Sequence, residues 1–156
     1  MDIKLFIFNP IRVNTYVVWD NTNECIFVDA GCYSDKEKER LTAFVAENSL
    51  KPVALINTHG HFDHTAGNEF LCSRYGIDAY LHERDFYNIE KAAEHAMLFD
   101  MHLKKLPMPN FLPSSRIMSL LSVFGAVMPL SPPWGKSADS KSAAPLARLL
   151  RGSSRR

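Results

Sequence analysis

A dense group of potential metal ligands follows a short apolar strand in the middle of the chain. Residues 58–64 read Thr-His-Gly-His-Phe-Asp-His. Imidazole nitrogens and carboxylate oxygens are ligands that suit zinc, and also iron or manganese. His59 and His61 are two residues apart, so in an extended segment their side chains point to the same side and can share one ion. Asp63 and His64 follow where the chain turns into a helix, and they can hold a second ion nearby.

The pattern around this ligand loop predicts an α/β (α+β) fold. Runs of β-branched and aromatic residues predict a meander of three antiparallel strands at the amino terminus. Ser34 and Glu37 have the spacing of a capping box, which predicts that a helix begins there and runs to about Asn48. Helices and strands then alternate, which favours a mixed or antiparallel sheet with helices on one face. The predicted strands are 2–8, 13–19, 24–29, 53–57 and 78–81, and the predicted helices are 34–48, 65–75 (capped by Gly76) and 83–96.

Residues 57–64, Asn-Thr-His-Gly-His-Phe-Asp-His, resemble the His-x-His-x-Asp-His signature of the metallo-beta-lactamase superfamily. The resemblance is greatest to its small hydrolases similar to hydroxyacylglutathione hydrolase (glyoxalase II). Three further segments agree with it, namely Asn-Thr-Tyr at 14–16, Val-Asp-Ala-Gly at 28–31 and Thr-Ala-Gly-Asn at 65–68. The resemblance covers roughly residues 2–112, and it implies the N-terminal half of a four-layer αββα sandwich.

The resemblance also implies a function, the hydrolysis of a thioester or ester of small size by a water that one or two metal ions activate. It implies that His59 and His61 bind the first ion and that Asp63 and His64 bind the second. Asp63 is in addition the expected catalytic residue, because it can steer a proton. Zinc is the expected cofactor, with iron or manganese as alternatives. Gly60 is expected to let the backbone turn tightly between the first two ligands.

The ligand set in this sequence is incomplete. A catalytic zinc takes three protein ligands plus water, whereas the loop offers two for each ion. The resemblance implies that the others come from the second half of the sandwich as a His before a Gly, a bridging Asp and a final His. No histidine follows His102, and Asp139 does not follow a strand pattern. His82, His95 and His102 are alternatives that surface or capping roles also explain. Enzyme activity therefore stays open, and the alternative is a truncated, non-catalytic remnant with weak or no metal binding.

Composition divides the chain into residues 1–112 and an irregular basic, Ser/Pro-rich tail of residues 113–156. The first part carries 11 Lys and Arg against 16 Asp and Glu, whereas the tail carries 7 against 1. This break predicts a divergent end or translation in another reading frame. The tail arginines have no aromatic platform beside them, so no nucleic-acid partner is expected. The apolar run at 117–130 is shorter than the roughly 20 residues that span a bilayer, so no membrane partner is expected either.

Two further expectations concern the surroundings of the chain. Cys25, Cys32 and Cys72 show no Cys-x-x-Cys spacing, and the first residues do not resemble a signal peptide, which together favour reduced thiols in the cytoplasm. Half of a sandwich leaves one face of its sheet without a partner sheet. Self-association through that exposed face is therefore a further prediction.

Overall fold

The protein is built on one mixed sheet of six strands, as seen in a computed structural model that describes residues 1–103 and 109–112. The first three strands are antiparallel neighbours, and the last four, β3 to β6, are parallel neighbours. The mixed sheet confirms the predicted fold class. The strands are β1 (Asp2–Phe8), β2 (Val13–Trp19), β3 (Glu24–Val28), β4 (Lys51–Ile56), β5 (Ala79–His82) and β6 (Asn110–Leu112). The helices are α1 (Asp35–Glu47), α2 (Phe62–Thr65), α3 (Asn68–Tyr75) and α4 (Phe86–Met97), and a 3-10 turn (Glu83–Asp85) precedes α4.

Helices α1 and α3 cover one face of the sheet. Successive side chains of a strand point to opposite faces, so Cys25 and Phe27 of β3 pack on this face while Ile26 packs on the other. Leu41 of α1 and Leu71 of α3 are fully buried against them. Burial of each such leucine contributes on the order of 1.5–3 kcal/mol, so this layer holds the helices on the sheet.

The second face of the sheet is closed at its centre and open at its edge. The expected exposure of this apolar face does not hold at the centre, where five side chains of β2, β3 and β4 are buried. On the edge strand β1, Leu5 and Ile7 are each 44% exposed, so apolar surface is open there. Self-association stays a prediction. The five buried side chains are Val18, Ile26, Val28, Ala54 and Ile56.

The ends of the helices follow local sequence signals in two places. Ser34 and Glu37 form the predicted capping box, in which the Ser34 side chain accepts from the Glu37 N–H and the Glu37 side chain accepts from the Ser34 N–H. Gly76 ends α3 with a left-handed φ of 64°, which glycine adopts without a steric penalty. Both predictions are confirmed.

The predicted single helix over residues 65–75 is wrong, because the segment forms α2 and α3 with a break at Gly67. The Gly67 N–H donates to the Ala30 carbonyl at 2.7 Å instead of continuing α2. A Cβ at Gly67 would collide with the Cys32 sulfur, so only glycine allows this approach. The break is therefore imposed by the loop after β3, which lies far away in sequence.

Three more features complete the fold. The strand β6 was not predicted, because its three residues are too few to show a period; it pairs with β5. None of the helices among residues 1–103 and 109–112 is long and apolar enough to cross a membrane. Cys25, Cys32 and Cys72 are free thiols, and burial raises their pKa values to about 12, 12 and 11, which fits packing residues and not reactive thiolates.

Candidate metal centre

The carboxylate of Asp29 fixes the first residue of the ligand loop, Thr58. Strands β3 and β4 are parallel neighbours, so their carboxyl ends meet at one edge of the sheet. Asp29 follows β3 and is 4% exposed. Its Oδ1 accepts from the Thr58 backbone N–H at 2.8 Å, and its Oδ2 accepts from the Thr58 hydroxyl at 2.7 Å. The first residue of the loop is therefore held through both its main chain and its side chain.

His59 is oriented by the same network. The Thr58 hydroxyl lies 3.0 Å from His59 Nδ1. Because this hydroxyl gives its one hydrogen to Asp29, it accepts the hydrogen of Nδ1–H and leaves the lone pair on Nε2 of His59. In metal-binding histidines, one ring nitrogen usually donates a hydrogen bond to a supporting group, and the other nitrogen binds the metal.

His64 contacts the same carboxylate from the other side. Its Nδ1 lies 3.0 Å from Asp29 Oδ2 without the alignment of a hydrogen bond, so the contact is mainly electrostatic. His64 Nε2 lies 3.7 Å from Asp63 Oδ2. His64 therefore stands between two carboxylates, one behind the loop and one within it.

The structure brings the four predicted ligand residues together. The ring centroids of His59 and His61 are 4.5 Å apart, and those of His59 and His64 are 4.0 Å apart. Their donor atoms fit zinc, iron or manganese by chemistry. Within the described part of the chain, however, no three His, Cys, Asp or Glu side chains are arranged to hold one ion. The assignment of these residues as ligands stays a prediction.

The environment shifts the pKa values of two of the histidines in opposite directions. Burial lowers the pKa of His59, and the charges of His64 and His61 lower it further. Burial alone would also lower the pKa of His64, but the neighbouring carboxylates of Asp29 and Asp63 outweigh burial and raise it. In the metal-free chain, His59 therefore favours the neutral form that can bind a metal. His64 keeps its proton to a higher pH than His59 does.

A buried pair of amides supports the loop from below. Asn57 and Asn68 are 2% and 1% exposed. Asn68 Nδ2 donates to Asn57 Oδ1 at 2.7 Å, and Asn57 Nδ2 lies 3.3 Å from Asn68 Oδ1. Asn57 Nδ2 also donates to the His64 carbonyl at 3.0 Å. The pair thus joins the end of β4 to the start of α3 and to a ligand residue.

Gly60 is required for space and not for its backbone dihedral. Its φ does not lie in the left-handed region, so a left-handed conformation is not what requires glycine here. A Cβ at Gly60 would lie 2.8 Å from the Asp85 carbonyl oxygen and 3.0 Å from Asn88 Cβ. The Gly60 N–H also donates to Asp85 Oδ1 at 3.3 Å. The start of α4 therefore packs directly on the loop between His59 and His61.

The other candidate ligands have contacts elsewhere. His82 Nδ1 accepts from the Arg84 N–H at 3.1 Å, which is a capping contact of the 3-10 turn. The His102 backbone N–H donates to the Tyr33 hydroxyl at 3.0 Å, and the His102 ring is exposed. His95 lies in the last turn of α4. Asp139 and the rest of the basic tail lie outside the described residues.

Sequence reasoning missed the residues that hold the loop. Asp29 entered only as the end of a strand and as part of the Val-Asp-Ala-Gly segment, and Asn57 only as the first residue of the motif at 57–64; neither was predicted to hold the loop. One signal was present for Asp29, because polar residues at the ends of adjacent parallel strands meet at one sheet edge. No comparable signal linked Asn57 to Asn68, since the pairing of two amides depends on how α3 packs.

Comparison with known proteins places the chain in context. The family model described as the metallo-beta-lactamase superfamily matches residues 8–124, which extends past the composition break near residue 113. The "Probable metallo-hydrolase YqgX" of Bacillus subtilis is 29% identical over 76 residues, which are 49% of this chain and 34% of that protein. The hydroxyacylglutathione hydrolase of Cronobacter sakazakii is 37% identical over 60 residues, 38% of this chain and 22% of that enzyme. The chain thus spans about a third or less of these relatives.

A solved structure agrees with the described fold. The protein TTHA1623, solved in a di-iron-bound form, superposes with a TM-score of 0.61 and 27% sequence identity. The superposition covers 70% of this chain and 52% of that one. The shared region is therefore close to half of the relative's fold.

Proposed function

We propose, because this chain belongs to the metallo-beta-lactamase superfamily, that its ligand loop is the metal-binding part of a hydrolase for small thioesters or esters. The observation that carries the proposal is the convergence of the four loop side chains on one edge of the sheet. Asp29 contacts the His64 ring directly and the His59 ring through the Thr58 hydroxyl. The similarity to a hydroxyacylglutathione hydrolase supports a thioester as the substrate.

The proposed roles follow from the positions of the side chains. His59 and His61 would hold a first ion, and Asp63 and His64 a second. When bound, such an ion supplies Lewis acidity, which lowers the pKa of a water and polarises the scissile carbonyl. Asp63, the carboxylate of the loop, would steer the proton of the attacking water. Zinc is the first candidate, and the di-iron form of TTHA1623 supports testing iron alongside it.

A second candidate function is a non-catalytic remnant that binds metal weakly. The small number of ligand side chains favours it. Among residues 1–103 and 109–112, no group of three His, Cys, Asp or Glu side chains is placed to hold one ion. A catalytic site needs about three protein ligands. The two candidates differ in how tightly the full chain retains metal.

Metal analysis of the full 156-residue chain tests the proposal, with His61→Ala as the loop variant and His95→Ala as the matched control on α4. Protein purified without chelators should retain one or two ions and hydrolyse a glutathione thioester. Because loss of a supporting residue already costs 10–100-fold in affinity, loss of a direct ligand should cost more than about a hundredfold. His95→Ala should match the wild type. A wild-type chain that retains no zinc, iron or manganese favours the remnant.

A further inference from the structure

The short helix α2 carries two of the proposed ligands and cannot satisfy its own carbonyls. A helix of four residues leaves its last carbonyl groups without intrahelical partners. The natural donor for the Asp63 carbonyl is the N–H four residues on, at Gly67. That N–H instead donates to the Ala30 carbonyl at 2.7 Å. The Asp63 carbonyl therefore needs a donor from elsewhere.

Asn9, in the turn between β1 and β2, supplies that donor. Its Nδ2 donates to the Asp63 carbonyl at 2.9 Å and to the Gly31 carbonyl at 3.0 Å. Its Oδ1 accepts from the Ile11 N–H at 3.0 Å. Both hydrogens of the amide and its oxygen are thus engaged, and the residue is 9% exposed. An amide is the side chain that fits this set of two acceptors and one donor.

Asn9 is itself held in place from α1. Its backbone N–H donates to Glu37 Oε1 at 2.6 Å, while Glu37 Oε2 accepts from the N–H groups of Tyr33 and Ser34, each at 2.9 Å. A rigid connection therefore runs from the first turn of α1 through Asn9 to the main chain of Asp63. The Asp63 carboxylate has only a 3.7 Å contact with His64 in the described structure, so its direction depends on this main-chain hold.

We propose that Asn9 is a positioning residue that sets the orientation of Asp63 by holding its carbonyl. The role assigned to Asp63 rests on the proposed function, whereas the hold on α2 does not. The parallel with Asn57, which donates to the carbonyl of His64, supports the inference. Each ligand residue of α2 is capped by a buried asparagine from another part of the chain.

Two substitutions separate positioning from a simple turn role. Asn9 has a φ of 54°, a conformation that Asn, Asp and Gly all adopt. Asn9→Asp keeps the turn and the acceptor for Ile11, but it places a carboxylate against two carbonyl oxygens. Asn9→Gly keeps the turn without either carbonyl bond. Asn23 offers the matched control, because it is an exposed turn residue with a φ of 63° far from the loop.

The first measurement is amide hydrogen exchange of residues 62–67 in the full metal-free chain. Loss of the two carbonyl bonds should speed exchange there about tenfold or more in both Asn9→Asp and Asn9→Gly. Asn23→Asp and Asn23→Gly should leave that segment unchanged. Exchange in Asn9→Asp equal to the wild type would overturn the proposal, since a turn role alone tolerates aspartate. If Asn9→Asp does not fold, Asn9→Gly decides the same question.

The second measurement is zinc affinity of the same proteins. Asn9→Asp should weaken zinc binding about tenfold, as supporting residues of metal sites do, while Asn23→Asp should match the wild type. A wild-type chain that binds no zinc contradicts the proposed function but leaves exchange to decide on positioning. Unchanged exchange in both Asn9 variants overturns the positioning role even when the wild type binds zinc.

Discussion

Two pairs of residues in the ligand loop are held in different ways. His59 and His64 are braced by side-chain contacts with Thr58 and Asp29 behind them. His61 is exposed, and Asp63 is held mainly through its carbonyl. The braced pair thus shares its side-chain contacts with the fold, whereas the outer pair, the exposed His61 and the 9%-exposed Asp63, contacts the fold less through its side chains.

Because the two pairs are held differently, substitutions in them should affect the stability of the fold and the metal affinity differently. Substituting a residue that holds His59 or His64 in place should lower both the free energy of unfolding and the metal affinity. The same side-chain contacts stabilise the fold and orient the two rings. Substituting the exposed His61 should lower metal affinity alone. In the proposed assignment each ion takes one ligand from each pair, so each ion would join a fixed residue to a less constrained one. Three variants test this contrast in the metal-free chain.

The largest effect is expected for Asp29→Asn. Asparagine tolerates the left-handed φ of 57° at this position, so the change removes charge without adding backbone strain. The Thr58 hydroxyl and the His64 ring lose their shared anionic acceptor. We expect the free energy of unfolding to fall by about 2–3 kcal/mol in urea titrations with chelator present. Zinc affinity should also fall, by about 10–100-fold.

Asp35→Asn is the matched control for that change. Its side chain is 96% exposed at the start of α1, so the same loss of charge should alter stability by less than about 0.5 kcal/mol. His61→Ala should likewise leave the metal-free chain within about 0.5 kcal/mol of the wild type. If Asp29→Asn and His61→Ala lowered the free energy of unfolding equally, Asp29 would not stabilise the loop through His59 and His64.

A somewhat smaller effect is expected for Asn68→Ala. The substitution leaves the buried Asn57 Oδ1 without its donor at 2.7 Å, while Asn57 Nδ2 keeps the His64 carbonyl. We expect a loss of about 2 kcal/mol in unfolding free energy, measured by urea denaturation. Asn48→Ala removes an exposed side-chain hydrogen bond at the end of α1 and should cost less than about 1 kcal/mol. If Asn68→Ala and Asn48→Ala lowered the free energy of unfolding equally, the pair of Asn57 and Asn68 would not stabilise the loop.

The sequence predicted the features that depend on neighbouring residues. The capping box of Ser34 and Glu37 and the left-handed Gly76 are local signals, and both are present in the structure. The position of the ligand loop after a buried strand followed from the apolar run of β4. The mixed sheet followed from the order of the elements.

The features that the sequence did not reveal depend on distant contacts. Residues 65–75 have the composition of one helix, but a hydrogen bond from Gly67 to Ala30 divides it. Asn9 and Asp63 are 54 positions apart, and Asp29 and Thr58 are 29 apart. Such pairs meet only after the strands have taken their order in the sheet. The predicted ligands were therefore found by motif, while the residues that hold them were found by geometry.

The smallest effect, and the one that depends on pH, is expected for Glu37→Gln, which weakens the hold of Asn9 on the main chain of Asp63. Burial alone would raise the pKa of Glu37, but hydrogen bonds from the N–H groups of Ser34, Tyr33 and Asn9 outweigh it and lower the pKa below its ordinary value of 4.5. A lowered folded pKa means that the stabilisation is complete above about pH 4.5 and is lost as the pH falls through the folded value.

The wild type should therefore exceed Glu37→Gln by about 1 kcal/mol in unfolding free energy at pH 7, and the gap should close as the pH falls below 4.5. Urea titrations at pH 7 and at several values below 4.5 measure the gap, with Glu39→Gln on the exposed side of α1 as the control. Exchange of residues 62–67 should rise in Glu37→Gln, but less than in Asn9→Asp, because the amide of Asn9 still reaches Asp63. A gap that widens at low pH would show that the ionised carboxylate of Glu37 does not hold the turn before β2.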